Sequence, residues 1–155
     1  MRLTKADAKQ RAWLRLRRRS RARAVQAVYA WDVAHQGSIA GVTQRVWDDL
    51  ALGAEERAFA EPLIRMIELH GDEIDAHLTD LTTNWRLERI GAIERAVLRV
   101  GAAELMWNGS ELRPPTPPVT VMQEALLIAE RFGSPASARF VNGVLDALAR
   151  KLGRI

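Results

Sequence analysis

The sequence has 155 residues, contains no cysteine and carries a formal net charge of +4. This length is sufficient for one domain with a hydrophobic core, and the lack of cysteine excludes disulfide bonds and thiolate metal sites. No apolar run reaches the roughly 18–20 residues that span a bilayer, and the N-terminus lacks the apolar region of a secretory signal. These features favour a cytoplasmic protein.

The positive charge is concentrated at the N-terminus. Residues 1–23 contain ten lysines and arginines and one acid, which gives a net charge of +9. The rest of the chain contains thirteen basic and eighteen acidic residues, a net charge of −5. A basic segment on a mildly acidic body indicates a polyanionic partner, nucleic acid first and anionic membrane second. A solvated basic tail is the alternative.

Residues 1–16 form a short, basic extension that contains one acid and, near its end, the apolar residues Trp13, Leu14 and Leu16. Three interpretations stay open for them. They extend the first helix, they are disordered, or they derive from an upstream start codon.

The remaining chain has the periodicity of α-helices. Apolar residues recur at helical intervals in segments 39–50, 59–70, 90–100 and 141–152. No segment alternates like a β-strand over more than a few residues. The predicted fold class is therefore all-α.

Segment 17–35 joins the basic run to an apolar helix. After Arg23 this helix is apolar nearly all round, which predicts packing on several sides. At about 100° per residue, Arg18 and Tyr29 lie on nearly one line and Arg21 projects about 60° to one side. A rigid helix presents its arginines to phosphates at low entropic cost, and guanidinium groups bind phosphate bidentately. Tyr29 can stack on RNA bases; a core tyrosine is the alternative.

Prolines, glycines and hydroxyl residues mark helix ends and bends. Pro62 predicts a kink in the third helix. Residues 120–123 have the form of a capping box. Gly133 predicts a left-handed helix end, and Ser134 with the following proline predicts a helix start. Residues 113–118 contain four prolines and are predicted to form a stiff, extended connector.

Catalytic and metal-binding motifs are not apparent. There is no Gly-rich phosphate loop and no strand–turn–helix setting for a nucleophile. His70 and His77 lie on either side of a predicted helix break at Gly71, a spacing that is not typical of metal ligands. We therefore predict no enzyme activity, no metal and no cofactor.

Three stretches resemble one known family in order and spacing. They are 17–31 (RRRSRARAVQAVYAW), 94–105 (ERAVLRVGAAEL) and 124–146 (EALLIAERFGSPASARFVNGVLD). They are similar to the N-terminus, the central helix and the C-terminal motif of the NusB family of bacterial transcription antitermination factors. The resemblance covers about residues 17–150, and its last motif is specific enough to carry the assignment alone.

The resemblance implies about seven helices in two packed helical subdomains, about 17–83 and 84–155. It implies binding to single-stranded boxA RNA of ribosomal RNA leaders together with NusE, a small-subunit ribosomal protein. This pair joins an RNA polymerase antitermination complex and catalyses no reaction. The resemblance leaves open whether the protein forms a homodimer.

Positions that match the family motifs imply these RNA-binding residues: Arg17, Arg18, Arg19, Arg21, Tyr29, Arg139 and Phe140. Asn142 is added to this set because it lies beside a glycine within a predicted helix. A core phenylalanine is the alternative for Phe140. Gly143 costs about 1 kcal/mol of helix propensity, which indicates either close helix contact or a functional Asn142. The candidates for contact with NusE, at and before the central helix, are Trp85, Arg86 and Glu94. Trp85 also fits a core position.

The sequence departs from the family pattern in four places: the additional residues 1–16, Pro62, the proline-rich connector, and Ala136 where relatives are often acidic. The extension has a functional consequence, because its basic side chains can change RNA affinity. Those side chains are Lys5, Lys9, Arg11 and Arg15.

The main alternative function is a helical adaptor whose basic arm binds other RNA, protein or anionic membrane. A membrane-binding helix needs one basic and one apolar face. The residues after Arg23 are apolar nearly all round, which favours packing within the protein instead. A NusB-like domain fused to an RNA methyltransferase is not expected, since no cofactor-binding domain follows residue 155.

Overall fold

The computed structural model describes residues 2–82 and 86–155. Within these ranges the chain forms six α-helices, one short 3₁₀ helix and no named strand. The helices are α1 (Lys5–Ala34), α2 (Ile39–Asp49), α3 (Ala54–Leu81), α4 (Ala92–Met106), α5 (Pro118–Phe132) and α6 (Pro135–Lys151), and the 3₁₀ helix is Leu87–Arg89. The all-α prediction is confirmed, with a helix count close to the predicted seven. The expected subdomain boundary at residues 83 and 84 lies outside the described residues.

Helices α1 and α4 form the centre of the molecule. α1 packs against α2, α3 and α4, whereas α4 packs against α1, α3, α5 and α6. Val28, Leu98 and Leu145 are fully buried where these helices meet. The prediction that α1 packs on several sides after Arg23 is confirmed.

The N-terminal extension is helical from Lys5 onward and continues into the rest of α1. The Thr4 hydroxyl accepts a hydrogen bond of 3.0 Å from the backbone N–H of Asp7, whose carboxylate accepts one of 3.1 Å from the Thr4 N–H. This capping box satisfies two N–H groups at the helix start. The Thr4 hydrogen bonds lower the pKa of the Asp7 carboxyl. Of the three interpretations of this segment, the structure shows a helix.

Two predicted helix starts have different outcomes. The start at Ser134 is confirmed, because its hydroxyl accepts a 3.1 Å hydrogen bond from the backbone N–H of Ser137. The capping box at residues 120–123 is wrong, since α5 begins at Pro118 with Pro117 as its N-cap. Proline at the first helical position loses no hydrogen bond, so the proline-rich connector itself starts the helix.

Gly133 ends α5 without the predicted left-handed conformation, since its φ is −118°. A Cβ atom at this position would lie 2.8 Å from the Ala129 carbonyl oxygen and 2.9 Å from the Ser137 hydroxyl. A side chain here would therefore collide both with the last turn of α5 and with the first turn of α6.

The kink in α3 lies at His70, where φ is −126° and ψ is 23°. The prediction of a kink at Pro62 is wrong, because the helix continues through the proline. The ring of His70 stacks on Trp107 with 4.5 Å between ring centroids. The bend thus lies beside Gly71, where the sequence indicated a break, and places His70 against the end of α4.

Two helical glycines have opposite surroundings. A Cβ atom at Gly101 of α4 would lie 2.8 Å from Cδ1 of the fully buried Leu145 of α6. At Gly143 of α6, a Cβ atom would meet none of the described atoms within 4 Å. Close contact between helices therefore explains the glycine at position 101. It does not explain Gly143, because none of the described residues outside its own helix comes close to that position.

Replacing Gly101 with alanine is expected to lower the free energy of unfolding by up to about 2 kcal/mol, because overpacking between α4 and α6 costs about 1–3 kcal/mol and the gain in helix propensity offsets about 0.5–1 kcal/mol of it. The matched change Gly143→Ala is expected to raise the free energy of unfolding by about 0.5–1 kcal/mol through helix propensity alone. Urea denaturation of both variants measures the difference. A Gly101→Ala variant stabilised as much as Gly143→Ala would show that α4 and α6 do not approach this closely in solution.

Candidate nucleic-acid interface

The basic run of α1 divides between the interior and the surface. Arg21 is 4% exposed and faces Glu104 of α4, which is 3% exposed. Its Nη2 donates a 2.6 Å hydrogen bond to Oε1 of Glu104, and its Nε donates a 2.9 Å bond to Oε2. This bidentate ion pair joins the two central helices, so Arg21 is not presented to a ligand in the folded protein.

Arg17 lies one turn earlier on the same face and is 6% exposed. Its Nη2 donates a 3.0 Å hydrogen bond to the Thr116 hydroxyl. Its guanidinium carbon lies 4.2 Å from the ring centroid of Phe59 and 4.4 Å from that of Trp13. Burial, followed by the nearby charge of Arg21, lowers the pKa of Arg17. The expectation that all four predicted arginines of α1 are exposed to RNA is therefore wrong for Arg17 and Arg21. These two residues are four apart, so they share the helix face that packs against the protein interior.

The opposite face of α1 borders a basic groove. The groove has a volume of about 240 Å³ and runs between α1 and α5. We call it the α1–α5 groove; it is lined by Arg18, Arg19, Ala22, Arg23, Gln26, Leu127, Ile128, Arg131 and Phe132. Four guanidinium groups thus surround an apolar floor, a combination that suits phosphates and bases together.

Two of these arginines are exposed but pair with carboxylates that are largely covered. The Arg18 side chain is 55% exposed and donates hydrogen bonds of 2.8 and 3.0 Å to Glu124, which is 13% exposed; this pairing raises the pKa of Arg18. Arg19 is 53% exposed and lies 3.6 Å from Glu56, which is 20% exposed. Both arginine side chains therefore remain accessible to a phosphate.

Arg23 and Arg131 line the groove but were absent from the predicted site. Arg23 donates a 2.8 Å hydrogen bond to Gln26, while its buried Nε has no partner among the described residues. The Arg131 guanidinium carbon lies 5.4 Å from the ring centroid of Phe132. Arg131 lies within the third family-like motif (AERFG), but the sequence does not show that α5 lies across a groove from this face of α1.

The other predicted RNA-binding residues lie outside the α1–α5 groove. Tyr29 is 37% exposed and follows Gln26 by three residues on α1, so it is not a core tyrosine. Arg139 and Asn142 are exposed on α6. Phe140 is half-buried: it packs against the hydrophobic core and also lines a second groove.

This second groove, of about 300 Å³, brings together residues that were predicted for two different partners. We call it the α4–α6 groove; it is lined by Arg89, Ile90, Gly91, Glu94, Ala136, Ser137 and Phe140. The Ser137 hydroxyl donates a hydrogen bond to the Glu94 carboxylate. Glu94, predicted to contact NusE, and Phe140, predicted to contact RNA, thus share one concave surface.

The two other predicted partner contacts are not part of this groove. Arg86 is exposed, with 4.0 Å between its guanidinium nitrogen and the Glu88 carboxylate. Trp85 lies outside the described residues.

Neither a membrane-spanning helix nor a cluster of metal-binding side chains is found among the described residues. Across residues 2–82 and 86–155, no helix combines the length and apolar character needed to cross a membrane. In the same ranges, no three or more His, Asp or Glu side chains gather as a group that could hold a metal ion.

Comparison with known proteins identifies the family. The NusB family model matches residues 18–150. The chain belongs to the NusB family. A transcription antitermination protein NusB from Koribacter versatilis (strain Ellin345) is 39% identical over 137 residues, covering 88% of this chain and 90% of the relative. One from Xylella fastidiosa (strain 9a5c) is 39% identical over 141 residues, covering 90% and 85%. The resemblance of the three sequence motifs is confirmed.

Solved structures of the NusB family share the fold. T. maritima NusB has a TM-score of 0.77 and 27% identity, covering 86% of this chain and 90% of that one. A chain from the crystal structure of antitermination factors NusB and NusE in complex with dsRNA has a TM-score of 0.76 and covers 88% and 98%. At 24% identity, this second similarity supports the fold alone.

Proposed function

We propose that this NusB-family chain acts in transcription antitermination by binding single-stranded boxA RNA of ribosomal RNA leaders together with NusE, within an RNA polymerase complex. The observation that supports the proposal most directly is the α1–α5 groove. It presents Arg18, Arg19, Arg23 and Arg131 around an apolar floor on the surface of an otherwise mildly acidic protein.

The groove suits a single RNA strand for physical reasons. Arginine binds phosphate oxygens with a planar pair of donors. Leu127, which is 40% exposed, and Phe132 offer an apolar surface to bases that a duplex would keep stacked inside. Tyr29 extends this surface along α1, where a ring that is 37% exposed can stack on a further base.

The α4–α6 groove is our proposed meeting point of RNA and NusE. Phe140 supplies an aromatic ring and Arg89 a positive charge, while Glu94 supplies a carboxylate whose position is held by Ser137. A carboxylate repels phosphate and attracts the basic side chains of a ribosomal protein. Arg139 and Asn142, which are exposed on α6, are proposed to contact the same RNA.

The test is a binding assay with fluorescently labelled boxA RNA, a scrambled single strand and a boxA duplex, each with and without NusE. We expect boxA to bind more tightly than the scrambled strand, and NusE to strengthen boxA binding. With four arginines engaged, the logarithm of the binding constant is expected to fall with the logarithm of the salt concentration with a slope of about −2.8. Equal affinity for all three RNAs would instead support the alternative of an adaptor that binds RNA without sequence preference.

Replacing Glu94 with glutamine is expected to weaken NusE binding about tenfold or more, since hydrogen bonds to charged groups contribute roughly 1.5–3 kcal/mol. Glutamine retains an oxygen that can accept from Ser137, so the groove keeps its shape. Calorimetric titration with NusE measures the effect. Glu130→Gln, which removes an exposed carboxylate of α5 outside both grooves, is the matched control. Unchanged affinity in Glu94→Gln would remove Glu94 from the interface.

A further inference from the structure

The N-terminal part of α1 is a charged surface that the proposed site does not use. All residues from 2 to 15 are exposed. Within the described structure, Lys5, Lys9, Arg11 and Arg15 form no ion pair, in contrast to Arg18 and Arg19. Residues 5–16 add about 18 Å of helix at about 1.5 Å per residue. Four cations without counter-ions thus stand along a helix that leads to the α1–α5 groove.

The helical repeat aligns these cations with the groove. At about 100° per residue, Arg11, Arg15 and Arg18 fall within about 60° of each other. Arg11 and Tyr29 are separated by about five whole turns and lie on one line. Arg11 and Arg15 therefore continue the row that borders the groove at Arg18.

A second row runs beside the first. Lys5 and Arg23 are also separated by about five whole turns, and Lys9 and Arg19 lie about 40° to either side of their line. Arg19 and Arg23 both line the groove. The extension therefore presents its basic face on the same side of α1 as the groove.

The last turn of the extension is linked to the rest of the protein through Trp13 and Arg17. The Trp13 ring stacks on the Arg17 guanidinium, which also stacks on Phe59 of α3 and donates a hydrogen bond to Thr116. At the other end, Thr4 and Asp7 cap the helix. Alanine, lysine, arginine and glutamine, which favour helix, fill most of the sequence between them. The basic rows are therefore held in a fixed direction, which reduces the entropy lost on binding.

We propose that the extension is a second RNA-binding surface, which holds the phosphates of nucleotides flanking the segment that occupies the α1–α5 groove. This proposal rests on the proposed function of the groove. The four additional cations span about 15 Å of helix at about 1.5 Å per residue, which is long enough to follow several successive phosphates of one strand. The extension thus lengthens the bound RNA and leaves recognition of its sequence to the groove.

The opposite face of the extension favours RNA over a membrane surface. A helix that lies in a membrane needs a broad apolar face. Here Asp7 and Gln10 lie between the apolar side chains of that face, and one side of the Trp13 ring is covered by Arg17. Charge is the property that the extension presents continuously.

The experiment uses the full chain, a short single-stranded RNA that binds the groove, and the same RNA lengthened by about six nucleotides at its 5′ or its 3′ end. A fourfold variant, Lys5→Gln, Lys9→Gln, Arg11→Gln and Arg15→Gln, removes the charges but keeps good helix formers. Circular dichroism checks that helix content is unchanged. Anisotropy titrations at several salt concentrations, and sedimentation with vesicles of anionic lipid, measure binding.

We expect one of the lengthened RNAs to bind the unaltered chain more tightly than the short RNA, with a salt slope steeper by about 2.8 for four contacts. That gain should shrink about fiftyfold between about 50 and 200 mM salt. The fourfold variant should bind the short RNA normally and lose the gain.

Other outcomes separate the two proposals. Equal binding of short and lengthened RNAs by the unaltered chain would overturn the extension as an RNA surface and leave the groove intact. Failure to bind the short RNA at all would overturn the proposed function itself. Binding to vesicles that the fourfold variant loses, with no gain on any lengthened RNA, would assign the extension to membranes and reject the proposal.

Discussion

Replacing Arg21 with glutamine is expected to lower the free energy of unfolding by about 3–5 kcal/mol, because it leaves the carboxylate of Glu104 buried without its partner. Both side chains are almost completely buried, and three hydrogen bonds from Nε and Nη2 of Arg21 join them between the central helices. Urea denaturation followed by circular dichroism measures the loss. It should be among the largest effects of any single arginine substitution in this chain.

Arg18→Gln is the matched control for this experiment. It also removes a bidentate arginine–carboxylate pair of α1, but one whose arginine is 55% exposed, so a smaller loss of about 1–2 kcal/mol is expected. A double variant, Arg21→Met with Glu104→Leu, should recover most of the stability, since apolar residues of similar size often replace buried ion pairs without loss. If Arg21→Gln instead unfolds like Arg18→Gln and loses RNA affinity, Arg21 is a phosphate ligand and not a structural residue.

The arginines of residues 17–23 show which features of the site the sequence can predict and which it cannot. Periodicity predicts that Arg17, Arg21 and Val28 share one face of α1, whereas Arg18 and Arg19 point elsewhere. The residue type argues the other way, because arginine is rarely buried without a partner. That partner is 83 residues distant in the sequence. A single acid, Glu104, within the apolar stretch of α4 is the signal that indicates a buried counter-ion.

The α1–α5 groove depends on how α1 and α5 are both packed against α4. Arg23 and Arg131 lie on different helices, and no local pattern shows that they line one cavity. Gly133 has a partly similar explanation, because a Cβ atom there would meet Ser137 of α6 as well as Ala129 of its own helix. Helical periodicity and the family motifs therefore predict the fold class, while the positions of the site residues relative to each other follow from tertiary packing.

The extension is a different case, since its structure is encoded locally. Thr4 and Asp7 have the spacing of a helix cap, and helix-favouring residues follow. Charge alone left a disordered tail open, because a run of cations fits either state. The helix cap at Thr4 and Asp7 indicates that the extension is helical, and the alignment of Arg11 with Arg18 indicates where its charges point. Charge alone indicates neither.

Replacing Arg18 and Arg19 together with glutamine is expected to weaken boxA binding roughly hundredfold, if each loses a charge-assisted contact of about 1.5 kcal/mol. Both side chains are more than half exposed at the edge of the groove. Circular dichroism and urea denaturation check that the fold is retained. The salt slope should also fall by about 1.4, which is the part of the electrostatic contribution that two phosphate contacts supply.

The matched control is Arg45→Gln with Arg65→Gln, which removes the same charge from exposed positions on α2 and α3. If net charge alone attracted the RNA, both double variants would lose affinity equally. A loss confined to the Arg18 and Arg19 variant, measured at equal stability, would place the RNA in the α1–α5 groove. Normal boxA binding by that variant would exclude the groove, because both guanidinium groups line it.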